Sequence, residues 1–211
     1  MNRTVKISLS SIAVLLLIWF SLDIQSLEKR NSTLKPETFN ATEYASIFWN
    51  DSLPIAIATS PNATDFYKFM KDNPKKAFQL YGKKLGISKT YYFLIKGKGV
   101  VEKIEEEYLV LSIDNQIKVK IATDFIYGNA VRDGSGKVNI NHFINMTDFN
   151  SVSVAINKLV KSKVVESLKE KAIVGQQLEF AGALELNSEN INLSDLLIIP
   201  VSITYSDGKS E

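Results

Sequence analysis

The sequence predicts an α+β fold in which five strands close a small barrel behind a helical lead-in. Three observations carry that expectation. A β run from Tyr91 to Ile104 is interrupted by Gly97 and Gly99, and glycine inside a strand marks a bulge or a bend at a barrel corner. Two short strands follow at once, Tyr108–Ile113 and Gln116–Ala122. One long amphipathic helix then separates these three from two final strands, Gln177–Leu186 and Leu196–Tyr205.

In chain order, residues 1–6 are short and basic, with Arg3 and Lys6. Residues 7–22 carry no charge, and Asp23 ends the run. At 1.5 Å per residue this run makes a helix of about 24 Å, a little short of a hydrocarbon core of about 30 Å. Trp19 and Phe20 suit the interface at its far end. Two export readings stay open. A cleaved signal peptide prefers small residues at the cut site, and Trp-Phe-Ser-Leu-Asp-Ile-Gln offers no Ala-x-Ala pattern. The favoured reading is an uncleaved signal-anchor or transmembrane helix. It makes a single pass through the bacterial inner membrane, with the positive start in the cytoplasm and the body in the periplasm or outside the cell. Residues 23–38 are polar and hold Pro36, as expected of a linker.

The extracytoplasmic domain is placed at 39–211, with a helical lead-in over 39–86 and the barrel over 91–205. Phe39, Tyr44, Ile47 and Phe48 recur near helical spacing, after Asn40 as a cap with Glu43 as its partner. Trp49 reads as a core residue. Leu53-Pro54 is expected to break this helix. A second helix should start near residues 62–65 and carry Phe66, Phe69 and Met70. A third covers Pro74–Leu80, with Pro74 in its first turn.

Glu105–Glu107 makes a charged turn after the bent strand, and Asp114-Asn115 a hairpin turn. In the third strand Ile117, Val119 and Ile121 alternate with Lys118 and Lys120, so one face is buried and the other wet. Residues 128–133 read as a loop. From Ser151 to Ala172, Val152, Ala155, Ile156, Leu159 and Val160 form one apolar stripe of the crossing helix. Three strands, a helix and two strands, opened by a glycine-bent strand, are the order of an OB-like five-stranded barrel with its long helix between strands three and four.

Composition narrows the chemistry. Net charge is +2 and the two basic residues at the start account for it, so the body lacks the basic footprint of a nucleic-acid binder. The 211 residues contain no cysteine and one histidine, His142. Thiol catalysis and the usual zinc or di-iron ligand sets are thereby excluded, and neither metal nor cofactor is expected. Gly97-Lys-Gly99 lacks the context of a phosphate loop, and Asp133-Gly-Ser-Gly136 lacks the acidic series of a calcium loop. No carboxylates are paired at a defined separation, so no catalytic residue is assigned.

Arg132-Asp133 is the polar pair that stands out. A guanidinium offers a planar fork to a carboxylate or phosphate. Arg132 and Asp133 could therefore bind an anionic ligand, with Asn145 and Asn157 near the helix start as companions. The favoured alternative is framework, an arginine tying its loop to the barrel through backbone carbonyls and Asp133.

Several stretches together point to a family. They are Trp19–Ile24 with Leu27-Glu28, Phe39–Ala45 with Trp49, Tyr81-Gly82, and Lys96-Gly-Lys-Gly-Val100. Gly128-Asn-Ala-Val-Arg-Asp133, Phe143-Ile-Asn145, Asn157, Gly182 and Pro200-Val201 complete the set. Across nearly the whole chain these residues resemble an uncharacterised bacterial family of predicted periplasmic lipoproteins, a domain of unknown function. Its genes often stand beside those of ribose-type sugar ABC transporters. Asn129 stands where the family usually has Thr, and Met146 where Gln is common. With no cysteine in the chain, a lipid of the usual kind has no acceptor here. The resemblance implies export, membrane attachment and a link to sugar uptake, and it supplies no catalytic residue.

The expected function is therefore a membrane-anchored, non-catalytic binding or accessory module. Its partners are the membrane, through the N-terminal helix, and sugar ABC transporter components, but not nucleic acid. The alternative is an exported enzyme acting on saccharide or envelope material, which would need a carboxylate pair facing a cleft.

Overall fold

A computed structural model of the protein describes residues 39–114 and 117–205. The expected basic start (1–6), signal-anchor helix (7–22) and linker (23–38) lie outside the described residues, as do Asn115 of the expected hairpin turn and Gln116 of the expected third strand. Residues Asn40–Glu211 gather into one unit. Among the described residues, no helix is long and apolar enough to cross a membrane.

The lead-in begins with α1 (Ala41–Ile47), whose Asn40 cap accepts a hydrogen bond from the Glu43 N–H. The expected break at Leu53-Pro54 does not occur. A π-turn over Phe48–Ser52 runs straight into α2 (Leu53–Thr59), and the Leu53 N–H reaches back to the Phe48 carbonyl. The wider turn shifts the register before Pro54, which then sits in the first turn of α2, where a missing N–H is harmless. The expected stripe also shifts: Ile47 is exposed, Ala45 and Phe48 are buried, and Trp49 is half-buried instead of core. Asn62 caps α3 (Ala63–Asp72), and Asn73 caps α4 (Pro74–Tyr81).

The strands are β1 (Thr90–Ile104), β2 (Tyr108–Asp114) and β3 (Ile117–Ala122). Between β3 and the last two strands come a helical turn, α5 (Ala130–Gly134), the long α6 (Met146–Val160), a π-turn (Lys161–Val165) and α7 (Glu166–Lys171). Two expectations change here. The 128–133 stretch is a helical turn for most of its length, not an open loop. The crossing helix starts at Met146 and not at Ser151, because Asn145 caps it and Phe149 extends its buried stripe by nearly a turn. The chain ends in β4 (Gln177–Asn187) and β5 (Leu197–Tyr205).

The five strands close in the order β1-β2-β3-β5-β4, all neighbours antiparallel except β3 with β5. Closure depends on β1 serving two partners. Residues 90–100 pair with β4 and residues 100–104 with β2, so the strand changes sides at Val100. Gly99 lies beside that change. A Cβ there would stand 2.9 Å from the Ser112 carbonyl oxygen, so the bend leaves no room for a side chain. Gly182 of β4 is tighter, with a Cβ meeting Ile198 Cγ2 at 2.4 Å and the Ile199 oxygen at 2.6 Å.

Two apolar layers result. Phe93, Ile95, Leu109, Leu111, Ile121 and Phe180 fill the interior, joined by Phe66, Met70 and Phe78 from α3 and α4. The Phe93 ring meets Phe66 and Phe78 at centroid distances of 5.1 and 5.4 Å, and such pairs stabilise by about 0.5–1.5 kcal/mol beyond area burial. Burial does not stop at the interior face. Leu94, Ala181 and Ala183 lie between interior residues along their strands and are also buried. Successive side chains of a strand point to opposite faces, so the β1–β4 seam is covered outside as well. The cover is the helical layer, in which α5 touches β1 and β4, and α1 packs on α6.

Candidate functional site

The helical layer holds the polar residues singled out by the sequence. Val131 and Gly134 seat α5 against β1. A Cβ on Gly134 would lie 2.8 Å from the Phe93 carbonyl oxygen, so the turn rests directly on strand backbone. Arg132 then projects into the layer, its side chain 1% exposed. Its Nε donates to Asp133 Oδ1 at 2.7 Å and its Nη2 to Oδ2 at 3.1 Å. Nη1 donates to the Phe149 carbonyl at 3.0 Å and to Asn150 Oδ1 at 3.4 Å. The guanidinium lies over the Phe149 ring, 3.6 Å from its centroid. A buried charge is tolerated when paired and hydrogen-bonded, and every guanidinium nitrogen here has a partner in the chain.

Neighbours feel these charges. The Tyr92 hydroxyl is held above the ordinary phenol range, first by burial, then by Glu185 and Asp133, while Arg132 and Asn129 pull it down. Asn157 donates from Nδ2 to the Gly128 carbonyl at 3.0 Å, pinning the start of the segment to α6. Asn145 does other work. Its Oδ1 accepts the Asp148 N–H and its Nδ2 donates to Asp148 Oδ2, both at 2.8 Å, closing the first turn of α6. Arg132, Asp133 and Asn157 thus act on one segment, whereas Asn145 makes none of these bonds. His142 is exposed in a short 3-10 turn.

Beside this node a cleft of about 490 Å³ opens between residues 126–129 and α6. Ile126 and Val154 give it apolar walls and Tyr127 stands at one side. Asn150 and Ser153 line it from α6, with Lys158 and Lys161 further along. Ser153 is 5% exposed, and its Oγ has no hydrogen-bond partner. The reason lies one turn back. A helical serine can donate to the carbonyl four residues earlier, here that of Phe149. That carbonyl already serves the helix ladder and Arg132.

Sequence reasoning missed Asn150, Ser153 and the two lysines. The available signal was a serine inside the apolar stripe of α6, between Val152 and Ala155, three residues after an asparagine. Among the described residues, no group of three or more His, Cys, Asp or Glu side chains is placed to hold a metal ion.

Comparison with known proteins agrees with this architecture. An OB-fold protein of known structure from Thermotoga maritima superposes with a TM-score of 0.71. It is 22% identical, and the match covers 80% of this chain and 99% of that one. At that identity the likeness shows the fold alone. No curated protein matches the chain. A family model described as predicted periplasmic lipoprotein, DUF2291, matches residues 12–204. The chain therefore belongs to this family of predicted periplasmic lipoproteins of unknown function, and it carries the family's sequence on an OB-fold.

Proposed function

We propose that the protein is a membrane-anchored extracytoplasmic module that binds or assists instead of catalysing, and that it works with a sugar ABC transporter. One observation carries the non-catalytic half. The buried pair Arg132-Asp133 is engaged inside the fold, and the cleft beside it is lined without a carboxylate. Hydrolysis of a saccharide would need an acid and a second carboxylate facing each other across such a cleft. The extracytoplasmic half rests on family membership. The transporter half rests on the gene neighbourhood that the family resemblance implies. An OB barrel offers a face and adjoining loops for contact, but the fold does not choose the partner.

The test uses the full chain, tagged after Glu211 and recovered from native membranes in a gentle detergent. Co-recovery of sugar-transport components is expected. Recovery of the chain without them overturns the transporter link. A reporter fused after Glu211 should be active outside the cytoplasm, and activity inside the cell overturns the address.

A further inference from the structure

The cleft beside α6 has a chemistry that its neighbours impose. Arg132 is donor-only and takes the Asn150 carboxamide by its oxygen, which turns the Asn150 Nδ2 group away as a donor. The same arginine occupies the Phe149 carbonyl, which leaves the Ser153 hydroxyl without that acceptor. The buried Ser153 hydroxyl thus has no partner, and the exposed Asn150, held by its oxygen, offers its Nδ2 group as a donor at the cleft. Charge points the same way. Lys158 and Lys161 line the cleft and no acidic residue does. Among the described residues neither lysine forms an ion pair, as is true of most lysines of this surface.

Ile126, Tyr127 and Val154 give the rest of the wall an apolar part, beside Asn129 and Asn157. Phe125 has a positive φ of 50°, unusual for a residue with a side chain. Its N–H is held by Asp124 Oδ1 at 2.8 Å. The following residue, Ile126, is 2% exposed, while the Tyr127 ring is left 68% exposed at the cleft. The Tyr127 ring lies 6.4 Å from that of Phe125, so the two rings stand together at this edge.

We propose that this cleft binds a small organic acid, a carboxylate on a ring-sized apolar body. The carboxylate takes the Ser153 hydroxyl, the Asn150 amide and the charge of Lys158 and Lys161. The body lies between Tyr127 and Val154. The volume of about 490 Å³ falls within the range of small-molecule sites. This deepens the binding-module reading and rests on it.

The experiment photolabels the full chain in lipid nanodiscs with 4-benzoylbenzoate and, in parallel, with the uncharged 4-benzoylbenzyl alcohol. Labelled positions are mapped by peptide mass spectrometry. Saturable labelling within residues 125–161 is expected, at least fivefold stronger for the acid and competed by benzoate. The double variant Lys158→Gln/Lys161→Gln should lose at least fivefold of the acid labelling and keep that of the alcohol. Ser153→Ala, which preserves the helix, should lower acid labelling at least threefold with an unchanged thermal midpoint. Equal labelling by acid and alcohol overturns the proposal, as does label scattered over the chain or acid labelling that ignores both variants. Labelling reads the cleft alone and co-recovery from membranes reads the partner, so either can fail while the other stands.

Discussion

The barrel interior and the α5–α6 layer both exclude water, and they do so by opposite means. The interior is apolar throughout, with Phe93, Leu109, Leu111, Ile121 and Phe180 each at most 3% exposed. The layer outside the β1–β4 seam buries an ion pair instead, with Arg132 and Asp133 side chains 1% and 6% exposed. Apolar packing is non-directional, and many sequences of similar volume fill one cavity. A buried guanidinium is satisfied only in the arrangement that supplies all its acceptors. The interior therefore stabilises the barrel, while the node selects one position for residues 128–134 against α6. That position also leaves the Asn150 and Ser153 donors at the cleft.

The sharpest test of this contrast removes one half of the pair. Asp133→Ala leaves a buried guanidinium without its counter-charge and should lower stability by about 3–5 kcal/mol, read by urea denaturation. Arg132→Met/Asp133→Leu, which removes both charges, should recover at least half of that loss. A single variant that loses less than about 1 kcal/mol would show that the pair is not held as a buried charge. Phe93→Ala in the interior should cost a comparable amount, about 3–5 kcal/mol, but by cavity formation. Labelling of the cleft should then survive Phe93→Ala in the folded fraction and be lost in the charge-free double variant.

A smaller effect is expected at Gly182→Ala. The added carbon meets Ile198 Cγ2 and the Ile199 carbonyl oxygen, and backbone cannot rotate aside. A loss of about 1–3 kcal/mol should appear in the same denaturation curves. An unchanged midpoint would mean that β4 and β5 can separate locally without penalty. Asn145→Ala removes the cap of α6 and should cost about 1 kcal/mol, with hydrogen exchange rising first at residues 146–149. The least effect belongs to an exposed pair. Lys89 and Glu189 meet with side chains 62% and 61% exposed, so Lys89→Ala should change stability by about 0.5 kcal/mol or less. A loss as large as that of Asp133→Ala would erase the distinction between exposed and buried pairs.

Much of the barrel was legible because its signals are local. Ile117, Val119 and Ile121 alternate with lysines, and the cap at Asn40 stands directly before its helix. Pro54 misled because its usual effect was offset by the five-residue π-turn that ends at Ser52, for which no side-chain pattern exists. Residues 128–133 misled because α5 is only five residues long and has no side-chain cap bond. Such a turn carries no periodicity to read. It is helical because Gly134 rests on β1 and Arg132 is anchored on α6.

By itself the sequence determined the order of the five strands and the place of the long helix among them, the bent opening strand and the adjacency of Arg132 to Asp133. Each of these depends on residues next to one another or a few positions apart. Tertiary structure alone decided that Arg132 takes the Phe149 carbonyl, seventeen positions away, one turn from a buried Ser153 hydroxyl that has no partner. A hydrogen bond between segments distant in the chain has no period and no spacing. It exists only once the barrel has brought α5 and α6 against the same seam.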